Sequence, residues 1–409
     1  MKVLIIRSED LFEGGEQVYV TKLIHSLVEK GHEVFYIILN ENSLTKRSIK
    51  LNKINLICPT KIIDYDLHNK FYFIISNNLI NFWVYLKLRS LVLSFNPDII
   101  HLHNLKLVKT ALLAFRGFPK VQTIHNISSI FPLYPHFFDK DNETNYDGKI
   151  KLNTGRLIGL KFRTILFDYI IFGNDWIKKR TIKYFLCPSK HLTNLCKNAD
   201  FENAIHFPHF QVMSDYHFEK IKNLENKDYL LFVGRLDKIK GVDYLLEAFK
   251  IVHEKNKSLK LVIVGNGPEK ENLIKLSYEL GINKIVVFAG WIDNTKLGEY
   301  YLGSLMVVMP SLYPEASPLV SFEAMNYSKL IIAYNSGGLA DLVNDGYNGF
   351  LVERFDIKGL ADKINFILRN KKIAKEMGEN GRKMLEEKWS KEKHINKLMS
   401  IYKSAILDT

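Results

Sequence analysis

Two carboxylates, Glu315 and Glu323, lie in the stretch LYPEASPLVSFEAM with seven residues between them. The apolar run 305–310 just before this stretch has the length and composition of a buried strand. Ser317 suits the N-cap of a following helix, and Pro318 suits its first helical position. We therefore expect Glu315 in a loop at the carboxyl end of a strand and Glu323 one to two turns into a helix. In these different surroundings the two carboxylates could accept hydrogen bonds from different hydroxyl groups of one ligand.

The loop between the two carboxylates also offers backbone donors. The N–H groups between Ala316 and Leu319 lie at the start of the predicted helix, where the helix dipole favours an anion. The alternative is that both glutamates are solvated charges near an ordinary helix start.

Two cations form a second constellation, in the stretch FVGRLDKIKGVDYLLEAF. A predicted strand, 229–234, ends just before Arg235, and Lys240 precedes a helix that starts near Gly241. Two cations beside a helix N-terminus oppose its dipole unless an anion lies between them. This pattern favours a diphosphate site, with surface bases in an ordinary loop as the alternative.

Two further motifs follow predicted strands in the first half of the chain. Gly14 and Gly15 lead into a predicted helix, 16–30, so bare backbone N–H groups could meet an anion there, although a tight turn has the same pattern. His125 ends a predicted strand, 121–125, and its ring could exchange hydrogen bonds with a sugar hydroxyl, although a lone histidine is often structural.

The elements that must position these residues alternate between strands and helices along the whole chain. We predict strands at 3–8, 33–39, 54–59, 98–103, 121–125, 184–188, 204–207, 229–234, 261–265, 286–290, 305–310, 330–334 and 350–352. Runs of Val, Ile and Leu joined by helices predict parallel sheets covered on both faces. The fold class is therefore α/β, with two doubly wound domains whose ligands bind at the carboxyl ends of the strands, across a cleft.

A polar stretch at 211–228 separates two such series of strands, and at 409 residues the chain is long enough for two cores. We expect one domain at 1–210, a linker at 211–228, a second domain at 229–390, and a C-terminal helix at 391–409 that packs back on the first domain. The stretch VGNGPE at 264–269 lacks the third glycine of a dinucleotide fingerprint, which weakens a dehydrogenase interpretation.

Composition excludes several other classes of protein. With 47% hydrophobic and 25% charged residues, the chain is neither disordered nor an integral membrane protein, and its first ten residues lack the apolar core of a signal peptide. Its three cysteines, Cys58, Cys187 and Cys196, have no metal-ligand spacing and are expected to be reduced thiols of a cytosolic protein.

The formal net charge of +13 is concentrated between residues 149 and 197, where eleven Lys and Arg face two Asp, giving 11 − 2 = +9. Aromatic and aliphatic residues accompany these bases, a composition suited to an anionic membrane surface or to a phosphorylated partner. A core helix with solvated basic ends explains the segment equally well. Nucleic acid is not expected, because no nucleic-acid-binding module accompanies the bases.

In this order the motifs GGEQ, TIHN, GRLDKIKG, EASPLVSFE and SGGLADLV resemble those of the retaining glycosyltransferases of the GT-B fold, family 4, also called glycosyl transferases group 1. The resemblance covers nearly the whole chain. It implies that Arg235 and Lys240 hold the diphosphate of a nucleotide-sugar donor, which the backbone of Gly15 also faces. It further implies that Glu315 binds hydroxyls of the donor sugar, Glu323 the ribose, and His125 a hydroxyl near the reacting carbon.

The resemblance also implies a reaction. The chain would transfer a sugar, with retention, from a nucleotide-diphosphate sugar to a glycan or lipid-linked glycan in cell-surface polysaccharide assembly, without metal or cofactor, in the cytoplasm or on the inner face of the membrane. Two alternatives stay open, a nucleotide-sugar epimerase of the same fold and a non-catalytic sugar-nucleotide-binding subunit of a polysaccharide-assembly complex.

Overall fold

The structure is a computed structural model that describes residues 1–8, 15–40, 60–64, 82–103, 108–127, 177–210 and 229–408. The chain divides into two compact units. The first comprises Met1–Pro188, Leu192–Phe207 and Ile395–Thr409, and the second comprises Ser189–His191 and Pro208–His394. The predicted strand at 54–59 and the predicted linker at 211–228 lie outside the described residues.

In its described part, the first unit is a parallel sheet with helices. Its strands are β1 (Lys2–Ser8), β2 (Glu33–Asn40), β3 (Thr60–Asp64), β4 (Ile99–His103), β5 (Lys120–Thr123), β6 (Tyr184–Cys187) and β7 (Ala204–His206). Its helices are α1 (Gly15–Glu29), α2 (Phe82–Phe95), α3 (Val108–Ala114), α4 (Lys190–Asn198), and the part of the C-terminal helix from Ile395 onward. The strand order is β3-β2-β1-β4-β5-β6-β7, with every pair parallel.

Strand β1 lies in the interior of this sheet because four consecutive apolar residues can be buried on both faces at once. Val3, Leu4, Ile5 and Ile6 are all fully buried. Leu4 is in register with Phe35 of β2 on one side and with Ile100 of β4 on the other. Strand order reverses between β1 and β4, so the carboxyl ends of these two strands mark the place where doubly wound sheets bind ligands.

The second unit is also a parallel sheet with helices. Its strands are β8 (Tyr229–Val233), β9 (Lys260–Val264), β10 (Val286–Gly290), β11 (Met306–Met309), β12 (Ile331–Tyr334) and β13 (Gly349–Val352). Its helices are α5 (Val242–Lys255), α6 (Lys270–Glu279), α7 (Asn294–Gly303), α8 (Leu319–Asn326), α9 (Leu339–Leu342), α10 (Ile357–Arg369), α11 (Lys371–Lys388) and the first turn of α12 (Lys391–Leu407). The order is β10-β9-β8-β11-β12-β13, so the topological switch lies between β8 and β11.

These sheets confirm the α/β class and the doubly wound architecture predicted from the sequence. Most described strands begin and end within one or two residues of the predicted ones. Strand β3 was not predicted. It lies at the edge of its sheet, and its sequence TKIID offers only two apolar residues to a search for buried runs.

Two observations concern the cysteines and the membrane. Cys187 and Cys196 are buried free thiols whose sulfur atoms lie 3.4 Å apart, while Cys58 is outside the described residues. Among the helices that the structure describes, none is long and apolar enough to cross a membrane.

Candidate active site

The strongest polar contact at the switch point of the second unit joins two of the predicted site residues. The Lys240 Nζ atom donates to Glu315 Oε1 at 2.5 Å, and the hydroxyl of Ser311 donates to the same oxygen at 2.6 Å. The side chains of Lys240 and Glu315 are 26% and 14% exposed, so the ion pair is partly shielded from water and still open to a ligand. Lys240 follows β8, Glu315 follows β11, and the two strands are neighbours.

Backbone contacts bring these two loops together. Residues 238–240 form a single 3₁₀ turn, and the carbonyl oxygen of Ile239 accepts a hydrogen bond from the N–H of Leu312 at 2.9 Å. Gly241 ends the turn in a left-handed conformation, where a Cβ atom would lie 2.2 Å from the carbonyl oxygen of Pro310. A glycine is needed there because any side chain would push the two loops apart.

A second glycine turn holds the Glu315 loop from the other side. Gly337, with φ +57°, approaches so closely that a Cβ atom would lie 2.6 Å from the Glu315 carbonyl oxygen. The N–H of Gly338 donates to that same carbonyl at 2.6 Å. The Gly-Gly turn that follows β12 therefore fixes the backbone from which the Glu315 side chain projects.

Arg235, the other predicted cation, lies in the loop immediately after β8. Its Nε atom is 2.9 Å from Asp237 Oδ2, and its side chain is 48% exposed. The pair holds the guanidinium beside the 3₁₀ turn that carries Lys240. The neighbouring GNG loop is packed against this segment, since a Cβ atom on Gly265 would lie 1.8 Å from the Gly234 carbonyl oxygen. Close backbone packing thus accounts for the paired glycines of that loop.

The predicted cap of helix α8 is wrong by one residue. The helix begins at Leu319, and Pro318 takes the N-cap position with an extended backbone, φ −69° and ψ 125°. The Ser317 hydroxyl is buried and, among the described residues, has no hydrogen-bond partner. The extended backbone keeps Glu315 and Ala316 against the Gly-Gly turn, so a tertiary contact overrides local capping preference.

Glu323 lies one turn into helix α8, as its spacing predicts. It is half-buried, and its Oε2 atom accepts a hydrogen bond from the Tyr301 hydroxyl at 2.5 Å. Burial raises the pKa of Glu323, and the Tyr301 hydrogen bond opposes part of that rise. Tyr301 itself is fully buried, and burial together with the neighbouring carboxylate raises its pKa. The tyrosine therefore stays neutral and orients the carboxylate.

In the first unit, His125 belongs to a stack of three histidines. Its Nε2 atom lies 2.8 Å from Nδ1 of His103, and the His103 ring lies 4.1 Å from that of His101. His101 bonds through its two ring nitrogens to Tyr402 at 2.6 Å and Thr123 at 2.8 Å. Burial lowers the pKa of His101 to about 3, so this member of the stack is neutral at physiological pH.

His103 and His101 were not assigned roles from the sequence. They stand two residues apart at the end of β4, IIHLH, and side chains two apart on a strand point to the same face. That alternation, at the carboxyl end of a buried strand, is the signal that could have identified them.

The other predicted features of the first unit are described only in part. Gly15 is the first residue of α1, while Gly14 lies outside the described residues. Arg7, which is 4% exposed at the end of β1, has its Nε atom 3.3 Å from Glu16 Oε1 in the first turn of α1. This buried cation beside the first turn of α1 was also not predicted.

The basic segment 149–197 is described only from residue 177. Lys178 is buried, Lys179 lies 3.8 Å from Asp200, and Lys183 donates to the carbonyl of Asp408. Three of its described bases are thus engaged within the unit, and membrane binding through this segment stays a prediction. Groups of three or more His, Cys, Asp or Glu able to hold a metal ion do not occur among the described residues.

Two family models match the chain. The model described as Glycosyltransferase Family 4 matches residues 13–193, and the one described as Glycosyl transferases group 1 matches residues 213–384. The first match contains His125 and the second contains Lys240 and Glu315. Each predicted site motif therefore falls within one of these models.

Curated relatives and solved structures similar to this chain include three described here. The capsular polysaccharide biosynthesis glycosyltransferase CapM of Staphylococcus aureus is 31% identical over 243 residues, which cover 59% of this chain and 62% of CapM. The first curated relatives are matched over about half of their length, 46% to 62%.

Among solved structures, sucrose-phosphate synthase from Thermosynechococcus elongatus has a TM-score of 0.74 at 18% identity, with 100% of both chains covered. HepE from Anabaena, solved in complex with UDP, has a TM-score of 0.72 at 16% identity, with 99% of this chain and 100% of that chain covered. At these identities the likeness shows a shared fold.

Proposed function

Because the chain belongs to the family 4 glycosyltransferases of the GT-B fold, we propose that it transfers a sugar from a nucleotide-diphosphate donor to a glycan in cell-surface polysaccharide assembly. The observation that carries the proposal is the Lys240–Glu315 pair at the switch point of the second sheet. It sets a cation and a sugar-binding carboxylate on neighbouring loops, where a sugar diphosphate needs both. The names of CapM and of the UDP-bound HepE structure support a nucleotide donor and a polysaccharide product.

In the proposed reaction the acceptor hydroxyl attacks the anomeric carbon from the face that the diphosphate leaves. The bond between that carbon and the phosphate oxygen breaks, and the leaving phosphate takes the acceptor's proton, so the anomeric configuration is retained. Lys240 and Arg235 stabilise the charge that develops on the diphosphate, which makes a divalent ion unnecessary. Further donors are the backbone N–H groups of Gly14 and Gly15 and those of Ala316, Ser317 and Leu319. Pro318, in the same segment, has no N–H.

The other residues hold the donor sugar and the ribose. Glu315 accepts hydrogen bonds from donor-sugar hydroxyls, and Glu323 accepts them from the ribose while Tyr301 keeps its carboxylate oriented. His125 bonds to a sugar hydroxyl near the reacting carbon, and His103 sets the direction of its ring through their 2.8 Å contact. Positioning and charge stabilisation would supply the catalysis, with no covalent intermediate and no cofactor.

We propose a lipid-linked glycan as the acceptor, reached by an enzyme in the cytoplasm or at the inner face of the membrane. The basic segment 149–197 carries nine net positive charges that could hold the enzyme near an anionic surface.

The experiment is a transfer assay with UDP-, GDP- and ADP-sugars, each with and without a lipid-linked glycan from a polysaccharide-producing bacterium. We expect nucleotide release that depends on the acceptor and persists in EDTA. The transferred sugar in the product should have the donor's anomeric configuration by NMR. A donor sugar that changes configuration with no sugar transferred to the acceptor would identify an epimerase. Donor binding without turnover would identify a non-catalytic subunit.

A further inference from the structure

The Gly-Gly turn that follows β12 holds the backbone of Glu315, so whatever fixes the turn also fixes the candidate site. The helix after the turn, α9, has only four residues. A helix this short gains little stability from its own hydrogen bonds, and its position depends on tertiary contacts. The contacts that α9 makes elsewhere in the second unit therefore bear on the place of Glu315.

Asp341, the third residue of α9, makes one such contact. Its Oδ2 atom accepts a hydrogen bond from the N–H of Lys190 at 2.6 Å. Lys190 is the first residue of α4, where backbone N–H groups have no partner within the helix. A carboxylate satisfies such a group and is also favoured by the helix dipole. Residues 189–191 belong to the second unit, so this contact lies within that unit.

Close packing at Gly338 connects the Asp341 contact to the site. A Cβ atom placed on Gly338 would lie 2.1 Å from the Ala316 carbonyl oxygen and 2.9 Å from the Cβ atom of Ser189. The N–H of Gly338 donates to the Glu315 carbonyl at 2.6 Å, and the N–H of Asp341 donates to the Gly338 carbonyl at 3.2 Å. A continuous chain of contacts therefore joins the Asp341 carboxylate to the backbone of Glu315.

The other end of the Glu315 loop has a separate support. The N–H of Leu312 donates to the carbonyl of Ile239 at 2.9 Å, in the 3₁₀ turn that also carries Lys240. Loss of the Asp341 contact should leave this support in place. It should release only the end of the loop that the Gly-Gly turn holds, which is the end that carries Glu315.

We propose that Asp341 is a positioning residue for the donor sugar, because its carboxylate fixes the Gly-Gly turn and the turn sets the place of the Glu315 carboxylate. The inference rests on the proposed function, from which it takes the sugar-binding role of Glu315. Without the Asp341 contact, the loop occupies its sugar-binding position for a smaller fraction of the time, and the apparent affinity for the sugar falls with that fraction. The diphosphate contact of Lys240 should be unaffected.

Calorimetry of the full chain at pH 8, with UDP, GDP and ADP and their glucose conjugates, tests the proposal. Asp341→Ala should weaken binding of the glucose conjugate about fivefold, the equilibrium factor of one capping contact, and leave the diphosphate affinity unchanged. Asp341→Asn should restore the wild-type ratio of the two affinities, because asparagine caps a helix as well as aspartate does.

The choice of pH keeps the Asp341→Asn variant a test of hydrogen bonding alone. Burial lowers the pKa of His191, Asp341 opposes that decrease, and Arg354 adds to it. The His191 ring is therefore neutral at pH 8 with or without the Asp341 charge. The Asp341 contact is exposed, so the variants should stay folded, which circular dichroism checks.

Asp345→Ala is the matched control. Asp345 lies in the loop after α9 and accepts a hydrogen bond from the N–H of Leu351 at 2.9 Å. The control thus removes the same kind of exposed contact between a carboxylate and a backbone N–H, away from the Gly-Gly turn, and it should keep the wild-type ratio. In the Glu315→Gln background, Asp341→Ala should weaken the glucose conjugate by less than about twofold, because a residue that acts through Glu315 is not additive with it.

Amide hydrogen exchange of the ligand-free chain adds a measurement that does not depend on the donor. Asp341→Ala should speed exchange at both Lys190 and Gly338, and Asp341→Asn should not. Unchanged exchange at Gly338, an unchanged affinity ratio in Asp341→Ala, or full additivity with Glu315→Gln would overturn the inference and leave the proposed function standing. A wild-type chain that binds none of the glucose conjugates would overturn both.

Discussion

Replacing Lys240 and Glu315 singly should separate diphosphate binding from sugar binding. Without a ligand, the Lys240 ammonium is already neutralised by Glu315 at 2.5 Å. A diphosphate must draw Lys240 toward itself, and a donor sugar must occupy the Glu315 oxygen that Lys240 leaves. A nucleotide sugar therefore replaces the ion pair with two new contacts, diphosphate to Lys240 and sugar to Glu315. A bare nucleoside diphosphate supplies only the first contact and competes with Glu315 for Lys240.

The size of each effect follows from the contact. A hydrogen bond to a charged group contributes about 1.5–3 kcal/mol, equivalent to about 10-fold to 160-fold in affinity. Lys240 is 26% exposed, so solvent screening places its effect near the lower limit. Lys240→Met should weaken nucleoside diphosphate binding about tenfold. Glu315→Gln should leave it unchanged or tighten it, because the competing negative charge is lost.

A nucleotide sugar should respond differently. Glu315→Gln should weaken its binding about tenfold and depress transfer, because a neutral amide is a poorer acceptor for sugar hydroxyls. The Gln side chain can still accept from Ser311, which lies 2.6 Å from Glu315 Oε1, so folding should be preserved. The ratio of nucleotide-sugar affinity to diphosphate affinity is thus the quantity that Glu315→Gln changes.

Isothermal titration calorimetry with UDP, GDP and ADP and their glucose conjugates measures both affinities, and urea denaturation checks folding. Lys238→Met is the matched control, since Lys238 is an exposed lysine on the same 3₁₀ turn. If Glu315→Gln weakens bare diphosphate and nucleotide sugar by the same factor, Glu315 has no specific role toward the sugar and the reasoning fails. Unchanged diphosphate affinity in Lys240→Met would remove the phosphate role of the lysine.

Three further predictions concern the same protein. Gly337 and Gly346 both have a left-handed backbone, with φ +57° and +74°, but only at Gly337 would a Cβ atom meet nearby backbone atoms. Both Gly337→Ala and Gly346→Ala should therefore lower the thermal midpoint, and only Gly337→Ala should abolish transfer. Glu323→Gln should reduce the preference for UDP over 2′-deoxy-UDP in calorimetry, and an unchanged preference would exclude a ribose contact. Burial lowers the pKa values of His101 and His209 to about 3 in the folded chain, whereas in the unfolded chain both stay near 6.5. As the pH drops below 6.5 the unfolded chain therefore binds more protons than the folded chain, and the free energy of unfolding should decrease. Scanning calorimetry at pH 7.5, 6.5 and 5.5 checks this, and a constant midpoint would contradict it.

The fold was predictable because its strands are buried on both faces and read as short apolar runs. The same reasoning missed strand β3, which carries Lys61 and Asp64 at the edge of its sheet, where apolar residues are not required. Edge strands are specified by pairing with a neighbour, here Ile37 with Lys61, and pairing leaves no local signature.

The site was predictable where residue type alone limits the chemistry. Arg235, Lys240 and Glu315 follow strands that end at one edge of a parallel sheet, so their presence near the switch point follows from topology. The contact between Lys240 and Glu315 did not follow, because it depends on the separation of two loops. Gly241 sets that separation by approaching the Pro310 carbonyl, a distance that no periodic pattern encodes.

The N-cap prediction failed for a related reason. Ser317 and Pro318 have the local chemistry of a helix start, and capping by serine contributes about 1 kcal/mol. The hydrogen bond from the Gly338 N–H to the Glu315 carbonyl fixes the loop, Pro318 stays extended, and the helix begins one residue later than predicted. The buried Ser317 hydroxyl, with no hydrogen-bond partner among the described residues, is thereby left in the loop beside the carboxylate. A local preference of this size gives way when a functional loop is fixed by backbone contacts on both sides.

The two glutamates that share one sequence stretch thus owe their different properties to their partners. Glu315 faces a cation and a hydroxyl, and it can exchange these partners for a ligand. Glu323 faces a buried tyrosine, and burial raises its pKa, so its orientation rather than its charge is what the fold secures. A carboxylate held by an ion pair responds to phosphate and sugar together, whereas one held by a neutral hydroxyl responds to hydroxyl geometry alone. Substitutions at the two positions should therefore differ in kind, the first changing the balance between diphosphate and sugar and the second the discrimination among nucleosides.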